Sequence, residues 1–344
     1  MGDPRDFGFP TDVIEIDVTL AARKNGGRVA QLAFQRKGPD PHSTVCGARE
    51  ARDERLGENG ARMTDVVEIR PGRVEIPSLR RFGATLHEHR YLLWQLSVRE
   101  FLGPFRGSLL GAFWAWITPL VLLFVYAFVF SFVFRMRWGG SVSESFLSYG
   151  LVLFASFIPY SFLSTALIRS SSLIVSHGGL VSKVVFPLEV LPASVLISGL
   201  LQLAVTTSIL VVLAPVALGA PLTGLLRALP VLALHLILTA GLTFFLSSLA
   251  VFVRDLGTVV GIALQVLFFL TPITYPESAF PARFRWVQEV NPLAVVVRLW
   301  REAILFGRGP DLASLGTLGA MALVSFAAGY WWFHRTRKAF VEVL

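Results

Sequence analysis

The chain has 344 residues, of which 54% are hydrophobic and only 16% charged, and its mean hydropathy is +0.62. A soluble domain carries about 25% charged residues, so most of this chain is solvated by lipid. The 31 Lys and Arg exceed the 23 Asp and Glu for a net +8, but the arginines gather beside apolar runs, the pattern of topology signals and not of a nucleic-acid-binding face. Cys46 is the sole cysteine, which excludes an intrachain disulfide and a cysteine-built metal site.

The N-terminus, MGDPRDFGFP, has acidic residues and no apolar core. It does not read as a secretory signal peptide, and insertion falls to the first internal span. Residues 1–85 are polar and broken by Gly and Pro, and are expected to form a cytoplasmic extension with one short strand in the alternating stretch from Ile14 to Leu20. Thr11 to Ile16 (TDVIEI) is echoed by Thr64 to Ile69 (TDVVEI), as a duplicated strand or as a chance repeat. Met63 opens a segment that reads as the start of the membrane protein, so residues 1–62 are either an extension or a misassigned start. From His89 to Leu102, Tyr91, Leu92, Trp94, Gln95, Val98 and Leu102 fall near one helical face ahead of Gly103 and Pro104. With Arg90 and Arg99 beside it, this helix is expected to lie in the membrane plane on the cytoplasmic side.

Six apolar segments follow within residues 86–344, near 112–134, 146–168, 190–218, 229–253, 256–275 and 312–333. Each is long enough to cross a hydrocarbon core of about 30 Å as a helix. The expected fold is therefore an all-α polytopic membrane protein with six transmembrane helices and both termini on one side. Arg80, Arg81, Arg90, Arg99, Arg106, Arg169, Lys183, Arg254, Arg335, Arg337 and Lys338 mark that side as the cytoplasmic face of the inner (plasma) membrane. The opposite face holds fewer basic residues, most of them in the connection between the fifth and sixth segments, around Pro276 to Gly307. Pro276, Pro281 and Pro292 cut that connection into apolar pieces too short to span. Short re-entrant or interfacial helices are expected there, with arginine heads at headgroup level; a structured outer loop is the alternative. His235 is the one acidic or basic side chain inside the apolar windows, and reads as an interhelical hydrogen-bonding residue in preference to a proton carrier.

No lysine follows a glycine, so the chain lacks a phosphate-binding loop. The carboxylates near the spans (Glu100, Glu144, Glu189, Asp255, Glu277, Glu289, Glu302 and Asp311) stand singly, which does not suit metal-dependent glycosyl or phosphoryl transfer. No catalytic residue, metal site or resident cofactor is expected. Spans without paired ionisable groups argue against ion coupling and for energy delivered mechanically from outside the membrane. The abundant aromatics read mostly as lipid-facing, with a minority free to line a conduit over which sugar rings slide.

Three stretches carry a family resemblance. Arg99 to Pro119 (REFLGPFRGSLLGAFWAWITP) resembles the approach to the first span of type-2 ABC exporter permeases that move polysaccharides, matching at Arg99, Glu100, Phe105, Arg106, Ser108, Leu110, Gly111, Trp114 and Pro119. Leu102 and Pro104 stand where that family tends to carry basic residues. Leu180 to Pro192 (LVSKVVFPLEVLP) resembles the cytoplasmic segment that touches the ATPase, with Lys183, Phe186, Pro187 and Glu189 in place and Leu188 replacing a usual Arg. Val253 to Tyr275 resembles span five, matching at Arg254, Asp255, Gln265, Pro272 and Tyr275, and Asn291-Pro292-Leu293 follows.

The resemblance covers about residues 63–344 and implies a transport subunit without enzymatic activity. Its implied partners are a second copy of itself, two ATP-binding subunits that bind ATP and Mg, membrane lipid, and a polysaccharide on a polyprenyl diphosphate. It implies ATPase coupling through Lys183, Phe186, Pro187 and Glu189, and lipid-phosphate or interface contact at Arg99, Glu100 and Arg106. Trp114, Trp116, Tyr126, Phe268, Tyr275, Trp286 and Asn291 become channel or gate candidates. A permease for small apolar molecules and a membrane glycosyltransferase are the rival expectations.

Overall fold

The computed structural model describes residues 16–21, 29–34, 79–133, 146–179 and 187–340, in two units, Met1–Glu68 and Ile69–Leu344. The first unit contains an antiparallel hairpin, β1 (Ile16–Ala21) and β2 (Val29–Phe34), in which Ile16 pairs with Phe34 and Ala21 with Val29. The alternating stretch is thus a strand, and its partner was not expected from the sequence. The two TDV repeats lie outside the described residues apart from Ile16, as does Met63.

Among its described residues the second unit contains helices joined by turns. Its helices are α1 (Leu79–Glu88), α2 (Arg90–Leu102), α3 (Trp114–Phe128), α4 (Phe146–Ser170), α5 (Leu173–Ser176), α6 (Val190–Leu218), α7 (Gly224–Leu249), α8 (Leu256–Leu270), α9 (Arg285–Val290), α10 (Pro292–Phe306) and α11 (Leu312–Thr336). Among the described residues, five apolar helical stretches are long enough to cross a membrane: Gly111–Val133, Leu147–Ser170, Val190–Leu218, Gly224–Leu249 and Leu312–Ala339. The expected fifth span is shorter, because α8 stops after 15 residues, about 22 Å at 1.5 Å per residue. Thr271–Pro276 then continue without helix.

α4 is the hub, packed against α3, α6, α7, α8 and α10. It and α10 are the most enclosed helices, with Val152, Phe154, Ile158, Val297, Leu299 and Ala303 essentially without exposed surface. Where hydrocarbon surrounds the protein, burial of apolar surface does not drive helices together, and close fit of small residues decides contact. That rule is visible at two seams. Ala127 of α3 meets Gly150 of α4 so closely that a Cβ on Gly150 would fall 2.4 Å from the Ala127 Cβ. α7 and α11 touch backbone to backbone, with Gly329 directly over the Gly241 carbonyl, and the Ser325 hydroxyl donates to the Leu238 carbonyl at 3.1 Å.

α2 lies on α6. Leu93 packs with Val190 and Ala193 while Tyr91 and Trp94 face outward, so the protein-facing side of this helix is Leu93, Leu96 and Ser97, and the aromatic side is free for lipid. His235 is buried and its Nε2 donates to the Pro159 carbonyl at 3.0 Å, an interhelical bond of the expected kind.

Candidate functional site

Two polar regions lie at opposite ends of α4. Tyr149, near its start, donates to the Thr274 carbonyl at 3.3 Å. Arg169, near its end, donates to the Glu100 carbonyl at 3.2 Å and the Ser198 hydroxyl at 2.7 Å. Twenty residues of helix separate the two, about 30 Å.

At the Arg169 end, α2 closes in a tight turn over Gly103–Phe105. A cavity of about 250 Å³ opens there, lined by Arg99, Glu100, Gly103, Pro104, Arg106 and Arg169. Three guanidiniums face one carboxylate, so the cavity favours an anion, and forked N–H donors suit phosphate oxygens. Arg99 and Arg106 are exposed and free to meet a ligand. Arg169, which the sequence offered only as a topology signal, is fixed by Ser198 and lies 3.9 Å from a Glu100 carboxylate oxygen. Arg169 falls 63 positions beyond Arg106 and 70 beyond Arg99, so the set is assembled only because α2 and α4 both pack on α6.

Near the same end, Glu189 stands at the start of α6. It is not displayed to solvent: its Oε1 accepts from Arg337 Nη1 at 3.0 Å and lies 3.7 Å from His334 Nδ1, and only 9% of the residue is exposed. Leu188 packs with Ile174, Phe244, Phe333 and Phe340. The end of the connection before α6 is therefore tied to the end of the last helix. Pro187 belongs to the turn that starts α6, where its carbonyl accepts from Val190 N; Lys183 and Phe186 lie outside the described residues.

The channel candidates divide. Trp114, Trp116 and Trp286 are exposed, whereas Tyr126 and Phe268 are half-buried and joined through α4. Tyr126 meets Phe157 edge to face at 5.7 Å, Phe157 lies 5.9 Å from Tyr160, and Tyr160 meets Phe268 at 5.0 Å. The aromatic band runs from α3 across α4 to α8, through Phe157 and Tyr160, which the sequence reading did not single out. α3 and α8 each bury only a narrow stripe, Ala115, Pro119, Leu123 and Ala127 on one, and Leu256, Val260 and Leu264 on the other. Their remaining apolar faces are open.

At the Tyr149 end, Tyr275 stacks on Phe280 at 6.0 Å and donates to the Phe269 carbonyl at 2.8 Å. Asn291 is a structural clamp: its Oδ1 accepts from Leu293 N at 3.0 Å to cap α10, and its Nδ2 donates to Thr271 Oγ1 at 2.9 Å. Arg301 corrects the expectation that the arginines of this connection reach headgroup level. Its side chain is 7% exposed, and it donates to Glu277 Oε1 at 3.1 Å, the Pro272 carbonyl at 3.2 Å and Ser156 Oγ at 3.4 Å. Desolvation lowers its pKa, and the Glu277 carboxylate opposes that shift.

The sequence profile of the ABC-2 type transporter family matches residues 91–305. The chain is 29% identical over 260 residues to the O-antigen export system permease protein RfbA of Myxococcus xanthus, covering 75% of this chain and 96% of that one. It is 25% identical over 254 residues to the protein of the same name from Klebsiella pneumoniae, covering 74% and 95%. To the polysialic acid transport protein KpsM of Escherichia coli it is 25% identical over 251 residues, covering 72% and 92%.

Proposed function

The chain belongs to the ABC-2 type transporter family, a transport subunit and not an enzyme, and on that premise we propose that it is the permease of an exporter that moves a lipid-linked polysaccharide across the inner membrane. The observation that carries this reading is the arginine-lined cavity at the end of α2, together with relatives named for O-antigen export and polysialic acid transport. Arg99 and Arg106, backed by Arg169, receive the diphosphate of the polyprenyl carrier. The exposed Tyr91 and Trp94 seat α2 in the membrane surface beside it.

The segment after α7 makes the sixth crossing in spite of its short helix. A Cβ on Gly257 would lie 3.3 Å from Ser171 Oγ, and Thr274 is bonded to Tyr149. Ser171 and Tyr149 are 22 residues apart along α4 and its end, about 33 Å, so residues 257–274 cover the depth of α4 as a helix of about 22 Å and an extended turn. α9 and α10 then sit on the non-cytoplasmic side as re-entrant pieces, and both termini are cytoplasmic.

Two copies face each other through the open faces of α3 and α8, and the aromatic band lines the polymer path between them. Two partner ATP-binding subunits supply the energy with ATP and Mg. They act on the loop that ends at Pro187 and Glu189, and the Glu189–Arg337 pair passes that movement to α11.

Deletion of the gene, followed by extraction of lipid-linked glycan from cytoplasmic and surface fractions, tests the proposal. Polymer retained inside a cell with a bare surface is the expected result. An unchanged surface glycan overturns it and leaves export of a small apolar molecule as the family activity.

A further inference from the structure

The connection from α8 to α10 folds over a second cavity, of about 270 Å³, beyond the Tyr149 end of α4. Ala294 and Val295 of α10 give it an apolar floor. Its walls carry planar polar groups: Arg285, Gln288 and Glu289 from α9, and Arg298 from α10. Glu277 closes one side, already engaged by Arg301 at 3.1 Å. The side chains of Arg285 and Glu289 make no hydrogen bond or ion pair with any described residue. Gln288 Nε2 is withdrawn from solvent beside the Tyr275 hydroxyl without a hydrogen bond of good geometry. A shielded amide donor in that state is usually completed by water or ligand.

Planar side chains that carry paired donors or acceptors match adjacent ring hydroxyls, and an apolar floor accepts the C–H face of a sugar. With the neighbours of the wall groups included, Arg301 on Glu277 and Asp311 beside Arg298, three guanidiniums and three carboxylates balance, so the cavity has no net requirement for a charged ligand. Its volume sits just below the roughly 300–1,000 Å³ of ligand pockets, which suits one sugar ring. We infer that this cavity is a carbohydrate subsite, taking one uncharged, hydroxyl-rich unit of the glycan as it emerges on the non-cytoplasmic side. The assignment rests on the polysaccharide-export reading and adds a holding point for the emerging chain.

The test is saturation-transfer NMR on the full-length protein in detergent, using short neutral oligosaccharides released by mild acid from the surface glycan of the producing cell. Wild type is expected to show transfer. The double variant Arg285→Gln/Glu289→Gln, altered only at exposed side chains, is expected to bind at least tenfold more weakly. Ser278→Trp, which blocks the cavity from an exposed position, is expected to do the same without touching a polar wall group. Equal transfer to both variants, or none to wild type, overturns the subsite. Transfer to glucuronic acid with none to neutral sugar overturns the assigned ligand class. The gene-deletion result is independent of all of these: cells lacking the permease retain polymer whether or not this cavity binds sugar.

Discussion

Gly316 and Gly329 lie on the same helix, α11, and substitution of each by alanine is expected to have opposite consequences. A Cβ at Gly316 meets no atom within 4 Å. At Gly329 it would fall 1.9 Å from the Gly241 carbonyl oxygen and 2.7 Å from its carbon. Ordinary contact begins at 3.4 Å, so α7 and α11 must part by about 1.5 Å, and because both partners are backbone no rotamer change absorbs it. That displacement takes the Ser325–Leu238 bond from 3.1 Å to beyond hydrogen-bonding range. Overpacking costs about 1–3 kcal/mol and the lost bond about 1 kcal/mol more. Gly329→Ala is therefore expected to destabilise by about 2–4 kcal/mol, while Gly316→Ala is neutral or stabilising by up to about 1 kcal/mol through helix propensity. At about 2–4 °C per kcal/mol for a unit of this size, thermal unfolding in detergent, followed by tryptophan fluorescence, is expected to fall by about 4–16 °C for Gly329→Ala alone. Unfolding of Gly329→Ala within about a degree of wild type would refute backbone contact between the two helices.

Asn291→Ala removes the α10 cap and the bond to Thr271; a loss of about 2–3 kcal/mol in the same melt is expected. Arg301→Met leaves Glu277 half-enclosed without its partner and is expected to destabilise by about 2–4 kcal/mol, most of it recovered by adding Glu277→Leu, as the melting points of the single and double variants would record. Glu189→Gln and Arg337→Gln are expected to be non-additive, with a coupling of at least about 0.5 kcal/mol in a double-mutant cycle, and Glu189→Ala is expected to lower export with the protein still in the membrane. Additive effects would sever the proposed link between the loop before α6 and α11. Arg99→Gln/Arg106→Gln is expected to leave lipid-linked polymer on the cytoplasmic side, measured by the same fractionation as the deletion, with melting unchanged because both side chains are exposed.

The sequence alone determined what depends on nearest neighbours along the chain. Apolar runs of span length located the membrane helices, because hydrocarbon demands an internally bonded backbone over a fixed thickness. The Asn291-Pro292 pair announced the start of α10 because an N-cap side chain and a proline at N1 act within one turn. The Gly-Pro break ended α2 for the same local reason. Tertiary structure decided what depends on residues far apart. Hydropathy does not separate a lipid-facing side chain from one facing another helix, so the narrow stripes of α3 and α8 and the aromatic relay through Phe157 and Tyr160 were not legible. The length of α8 was overestimated because Thr271–Tyr275 continues the apolar run while its backbone leaves the helix, held by Asn291 and Tyr149. Arg301 reads as a loop charge in sequence. It becomes an enclosed tie because Ser156 of α4 and Pro272 and Glu277 of the connection after α8 converge on one guanidinium and accept from it.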